Sequence, residues 1–167
     1  MELDPTFYNL PHPALWTLFE NADAKSLMKL LKSDERLFMA ATTWPQKRFG
    51  VITCVAHKPR AREIAFQTTR AEALLLHAHV NCLEYDSRAR PPGVEPKSLQ
   101  CLKVLRTDNP NNIAYVIMAT RPLRILADNI WRHMTPQLRD ALSTAKQISL
   151  GHVEDPDVLH FFFGKSI

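Results

Sequence analysis

The chain is poor in glycine, with only 4 in 167 residues, and it contains neither a G-x-G-x-x-G nor a G-x-x-x-x-G-K-[ST] segment. Loops that hold phosphates need glycine where the backbone approaches the ligand closely. Nucleotide-dependent chemistry of the P-loop or Rossmann kind is therefore not expected, and the sequence predicts no cofactor.

Cysteines and long apolar runs are also scarce. Cys54, Cys82 and Cys101 are odd in number and lack C-x-x-C spacing, which argues against a disulfide framework and a zinc knuckle. No stretch approaches the roughly 20 apolar residues of a membrane span, and Glu2 and Asp4 do not fit a signal peptide. The sequence predicts a cytoplasmic protein with reduced, buried thiols and no membrane association.

The overall composition is that of a globular chain, with 46% hydrophobic and 23% charged residues. A length of 167 residues fits one domain, which we expect to span residues 1–167. Lys and Arg number 21 against 17 Asp and Glu, which gives a net charge of +4. This excess favours anionic partners.

Hydrophobic periodicity predicts two short helices in residues 14–32 after a proline-stiffened arm at 1–13. Residues 69–86 fit either a helix or a strand, and a strand is favoured. Proline and glycine make 87–97 a surface loop. Two hairpins are predicted from the β-branched and aromatic runs, with strands at 36–43, 49–57, 99–106 and 113–120.

The remaining elements are a third strand at 62–68, helices at 122–134 and 136–145, and final strands at 148–153 and 158–163. This order lacks the regular alternation of strand and helix, and no internal repeat is found. We therefore expect an α+β domain, in which an antiparallel sheet is packed against N-terminal and C-terminal helices.

A basic run extends from Lys47, in the loop of the predicted first hairpin, to Arg70, with Glu63 as its one acidic residue and with Trp44 and Phe49 nearby. Basic side chains bind phosphates, and aromatic rings stack on bases. The leading hypothesis is a non-catalytic accessory protein with a basic face for an anionic partner, either nucleic acid or another protein. The predicted binding residues are Lys47, Arg48, Lys58, Arg60, Arg62 and Arg70.

A second hypothesis is a metal site at His77 and His79. On a strand these two imidazoles point to the same side and can bind one metal ion. With Glu84, the spacing resembles the first metal-binding motif of the cupin family, which implies that the three residues act as ligands.

A third hypothesis is a small-molecule binder or enzyme, with arginines at element ends converging on an organic acid. These arginines are Arg62, Arg106, Arg121 and Arg124. The order of residues 30–34, the strand at 51–55 and the Arg62-Glu63-Ile64 segment resemble the chorismate lyase family. That resemblance implies an antiparallel α+β enzyme with Arg62 as the ligand-binding arginine.

The C-terminal segment Leu159-His160-Phe161-Phe162-Phe163 is strongly apolar. Such a segment must complete the sheet or be covered by another subunit, so homodimer formation is an additional expectation.

Overall fold

A computed structural model describes residues 9–56, 70–127, 134–152 and 160–161. Three helices come first: α1 His12–Asn21, α2 Ala24–Ser33 and α3 Glu35–Thr42. Strand β1 Arg48–Cys54 is followed by residues 70–75, the described part of helix α4. The remaining elements are β2 His79–Asp86, β3 Ser98–Arg106, α5 Pro110–Thr120, β4 Arg124–Ala127, α6 Pro136–Ser143 and β5 Gln147–Leu150.

The five strands form one sheet in the order β1-β2-β3-β4-β5, and every neighbouring pair is parallel. The prediction of an antiparallel α+β sheet is therefore wrong, and the fold is α/β. Both predicted hairpins are absent, because 36–43 and 113–120 are helical where strands were expected. Strand β4 lies where a helix was predicted at 122–134.

Side-chain caps explain the two missed helices. Asp34 accepts a hydrogen bond from Leu37 N and begins α3. Asn109 accepts one from Asn112 N and begins α5, with Pro110 at the first helical position. Proline is favoured there because its missing N–H has no partner in the helix.

Several other predicted elements are confirmed. The two helices of 14–32 are α1 and α2, and the Asp23 carboxylate caps α2 by accepting from Lys25 N and Ser26 N. The strands near 49–57 and 99–106 are β1 and β3. Thr135 caps α6, as its position before Pro136 predicts. For residues 69–86 a helix and a strand were both considered, and the described part of this segment contains one of each. Residues 70–75 belong to helix α4, which ends in a turn before β2 begins.

A pattern of three apolar residues is repeated at each strand. Two spacer residues separate the first apolar residue from the second, and one spacer residue separates the second from the third. Sheet register aligns the second apolar position across all five strands. The aligned residues are Ile52, Leu83, Leu102, Ile125 and Ile148. The third position aligns in the same way, and its residues are Cys54, Tyr85, Val104, Ala127 and Leu150. The fold is thus built from one strand per repeat, which the sequence alone had not indicated.

The helices that connect the strands pack on one face of this sheet. Right-handed crossovers in a sheet of sequential order place every connection on the same side. Apolar residues of α4, α5 and α6 share one core cluster with the aligned apolar rows. Representative members are Leu75, Ile113, Ile117, Leu138 and Leu142.

Helices α1, α2 and α3 cover the β1 end of the sheet. Helix α2 contacts β1, and Trp44 lies between the rings of Phe19 and Phe49 at centroid distances of 5.7 and 6.0 Å. Buried leucines of α2 and α3 join the same core. Terminal units of this kind shield the apolar end of a repeat array from water.

Candidate functional site

We call the face of the sheet opposite the helices the open face. It carries two rows of spacer residues. One row is Val51, Cys82, Cys101, Arg124 and Gln147, and the other is Thr53, Glu84, Lys103, Leu126 and Ser149. The carboxylate of Glu84 accepts from Thr53 Oγ1 at 3.1 Å and from Lys103 Nζ at 3.3 Å. These bonds join three neighbouring strands through their side chains.

Two cysteines lie side by side on this face. Cys82 and Cys101 are register partners on β2 and β3, and Cys101 is buried without joining the core cluster under the helices. Burial raises the pKa of Cys82 to about 11, and the adjacent Cys101 thiol adds to this effect. Cys54 faces the core, where burial raises its pKa to about 12. Cys82 and Cys54 are therefore thiols at neutral pH and poor nucleophiles, as the sequence predicts.

A groove follows the amino ends of the strands. Its first part is a cleft of about 510 Å³ between α2 and the beginnings of β1, β2 and β3. Its second part, of about 310 Å³, continues toward β4. Ser98 and Gln100 line both parts, which together lie beside the amino ends of β1 to β4.

A lysine, an arginine or a histidine lies near the amino end of each strand, and those of β1 to β4 line the groove. We call the five residues the basic edge. Arg48 begins β1, His79 begins β2, Lys97 precedes β3, Arg121 precedes β4, and Lys146 precedes β5. Arg48, Lys97, Arg121 and Lys146 are exposed. His79 Nδ1 lies 2.8 Å from Ser98 Oγ. Glu95 is the acidic residue that lines the described groove.

The opposite, carboxyl edge of the sheet carries a structural ion pair. The buried carboxylate of Asp86 accepts from Arg88 N at 3.0 Å, Arg88 Nε at 3.1 Å and Arg88 Nη2 at 2.7 Å. Burial alone would raise the pKa of Asp86, but the hydrogen bonds and charge of Arg88 lower it overall. Nearby, Asn112 Nδ2 donates to Ser87 O at 2.9 Å, which ties α5 to the end of β2.

Three of the six residues predicted to form a basic face are described, and they lie at separate places in the fold. Lys47 is buried and its Nζ donates to Leu76 O at 2.9 Å, where burial lowers the lysine pKa. Arg70 lies over the Phe38 ring, pairs with Glu35 and donates to Leu31 O. Arg48 lies on the basic edge. The other three, Lys58, Arg60 and Arg62, lie outside the described residues.

The proposed metal ligands lie on different elements. His77 stands in the turn after α4 with φ of 60°, whereas His79 begins β2 and contacts Ser98. Glu84 is bound to Thr53 and Lys103. Within the described parts of the chain, no group of three or more His, Cys, Asp or Glu side chains is arranged to hold a metal ion.

The arginines proposed to converge on an organic acid are divided between the two edges. Arg106 pairs in register with Asp86 at the carboxyl edge, while Arg121 and Arg124 lie at the amino end of β4. Arg62 is outside the described residues. The antiparallel fold implied by the resemblance to chorismate lyases is overturned by the parallel sheet.

Most residues of the groove were missed by reasoning from the sequence. Lys97 and Lys146 are isolated charges that no sequence pattern singles out, and Asn81 and Gln100 belong to none of the motifs. The sequence predicts Arg121 only as a ligand for an organic acid. The signal that could have found them is the strand pattern, because aligning its five copies places the preceding basic residues next to each other.

Comparison of the chain with family models, curated proteins and solved structures found no match. Among the described residues, no helix is both long and apolar enough to cross a bilayer.

Proposed function

We propose that the chain is a non-catalytic interaction module that binds an anionic macromolecule along the basic edge of its sheet. One observation carries the proposal: parallel strands in sequential order bring one basic residue from each repeat to the same edge. Side chains between residues 48 and 146 thereby come to one edge of the sheet.

Charge and exposure support this function. The side chains of Arg48, Lys97, Arg121 and Lys146 are exposed, and Glu95 is the one acidic residue among the described residues that line the groove. A band of one sign attracts an oppositely charged partner and increases its association rate. In this proposal the binding surface includes Arg48 of the predicted basic run and follows the edge of the sheet.

The architecture supports a binding role as well. One-strand repeats stacked in sequential order form an extended sheet whose spacer positions remain open to a partner. The strand pattern resembles that of leucine-rich repeats, which is a likeness of spacing and topology. Binding surfaces of this kind use side chains from many repeats, as the basic edge does.

Two triple variants with the same net charge test the proposal on a heparin column, with heparin as a generic polyanion. The edge variant is Arg48→Glu, Lys97→Glu and Lys146→Glu; the control is Lys29→Glu, Lys32→Glu and Arg90→Glu, also at exposed positions. We expect the edge variant to elute at clearly lower salt than the control, because its three charges lie along one edge of the sheet, whereas the control changes two residues of α2 and one residue after β2. Equal elution of the two variants would overturn the proposal, and circular dichroism verifies that both fold.

A further inference from the structure

The floor of the groove is shaped by the backbone at Gly50. A Cβ at this position would lie 2.6 Å from the Cβ of Ala24 at the start of α2. Glycine therefore allows α2 to approach β1 closely, and the 510 Å³ cleft lies beside this contact. The cleft is lined by α2 on one side and by the beginnings of β1, β2 and β3 on the other.

Polar side chains that can both donate and accept hydrogen bonds line this cleft. Asn81 and Gln100 are exposed there, and neither amide has a hydrogen-bond partner among the described residues. A primary amide presents two N–H donors and a carbonyl acceptor, which match the C=O and N–H of an extended polypeptide. Ser98 also lines the cleft, and its Oγ lies 2.8 Å from His79 Nδ1.

The dimensions of the groove fit a short extended segment. Neighbouring strands lie about 4.8 Å apart, so the amino ends of β1 to β4 span about 14 Å. An extended chain advances about 3.4 Å per residue and would cover this span with four or five residues. Basic residues stand at both ends of the span, Arg48 beside β1 and Arg121 beside β4.

Among the described residues that line the groove, no aromatic ring is exposed for stacking on nucleic acid bases, since Phe49 lines the cleft but is only 2% exposed. Stacking of bases on aromatic rings supplies much of the affinity of such sites. In the described parts of the chain, Tyr115 is the exposed aromatic residue, and it lies on α5 rather than on the groove. Trp44 and Phe49, which the sequence placed near the basic run, are buried.

We infer that the groove binds an extended acidic segment of a partner protein, with its carboxylates on the basic edge and its backbone on Asn81 and Gln100. This inference rests on the proposed function and specifies the partner. Charge complementarity selects acidic residues, and the amides select a polypeptide backbone.

The test measures binding by fluorescence anisotropy with three labelled probes at low ionic strength: the blocked peptide (Glu-Ala)4, its (Gln-Ala)4 counterpart, and octauridylate. We expect the protein to bind the acidic peptide more tightly than the other two. Replacing both amides, by Asn81→Ala with Gln100→Ala, is expected to weaken binding of the acidic peptide about tenfold, the scale of two lost hydrogen bonds. The salt dependence should stay unchanged because no charge is removed.

The matched control replaces two exposed amides on the helices, by Asn111→Ala with Gln137→Ala, and should leave affinity unchanged. Tighter binding of octauridylate, or equal loss in both amide variants, would overturn the peptide inference while leaving an anion-binding edge intact. A different result would overturn the proposed function itself. In that case the variant with Arg48→Glu, Lys97→Glu and Lys146→Glu would bind (Glu-Ala)4 and octauridylate as tightly as the wild type does.

Discussion

At the scale of single residues, Gly50 shows how a missing side chain positions a functional surface. The space that its Cβ would need is occupied by Ala24, only 2.6 Å away. Both atoms belong to packed elements, α2 and β1, so neither can move freely. The close approach of α2 to β1 therefore depends on glycine at this position.

We predict that Gly50→Ala lowers the free energy of unfolding by about 1–3 kcal/mol, the usual cost of overpacking. Gly93→Ala is the matched control, because its Cβ would meet only the Glu72 side chain at 3.7 Å. The control should change stability by about 0.5 kcal/mol or less. Urea unfolding followed by circular dichroism measures both, and equal stability of the two variants would contradict the proposed packing.

Asp86 provides a prediction about pH. Arg88 lowers the pKa of Asp86 in the folded state, below the ordinary value of 3.8. As the pH falls toward 3.8, the unfolded chain therefore binds more protons at Asp86 than the folded protein does. The stabilisation is present above that value and is lost as the pH falls through the folded pKa. Asp86→Asn should lower the free energy of unfolding at pH 7 by about 1–3 kcal/mol.

The difference between wild type and Asp86→Asn should shrink as the pH is lowered from 6 to 3, because the wild-type carboxyl becomes protonated. Thermal melts across this range measure it. Asp140→Asn serves as the control, since Asp140 is exposed on α6. A difference that stays constant at all pH values would show that the Asp86 charge does not contribute.

At the scale of elements, the caps decided which segments became helices. The Asp108-Asn109-Pro110-Asn111-Asn112 stretch lies between the strands predicted at 99–106 and 113–120, where the predicted hairpin needs a turn. Asn109 and Pro110 are instead the N-cap and the first residue of helix α5. The following apolar residues suit a strand by propensity, but burial of Ile113, Val116 and Ile117 against the sheet stabilises the helix. Local propensity cannot predict such packing, because it depends on strands distant in the sequence.

The cap of α5 supports a second stability prediction. Asn109→Ala removes the acceptor of the Asn112 N–H and should lower the free energy of unfolding by about 1 kcal/mol. Asn111→Ala changes an exposed residue of the same helix and should be close to neutral. Chemical denaturation of the two variants compares them directly, and a neutral Asn109→Ala would mean that the cap does not stabilise α5.

At the scale of the whole molecule, two misassigned segments changed the fold class. Once 113–120 is a helix and 124–127 a strand, the chain alternates β3-α5-β4-α6-β5, which is the order of a parallel sheet. The repeat is hard to detect in the sequence because its copies are unevenly spaced. The first apolar residues of the five copies are separated by 31, 19, 23 and 23 positions, and these residues are Phe49, Val80, Leu99, Pro122 and Ala145.

The same geometry explains how much of the site could be predicted. A lean toward anionic partners follows from the net charge, and Arg48 was identified from the basic run. Lys97, Arg121 and Lys146 become its neighbours only through the parallel register, which brings positions from separate repeats to one edge. The basic edge is thus a property of the topology rather than of any segment.

Binding of an acidic segment along the basic edge is tested most directly by titrating the ¹⁵N-labelled protein with unlabelled (Glu-Ala)4 and measuring the amide chemical shifts. If the peptide binds there, the largest changes in amide chemical shift should occur at the amino ends of the strands, around residues 48–50, 79–81, 97–100, 121–123 and 146–147. Shifts confined to the exposed sides of α5 and α6, or to the carboxyl edge around Asp86 and Arg106, would contradict it.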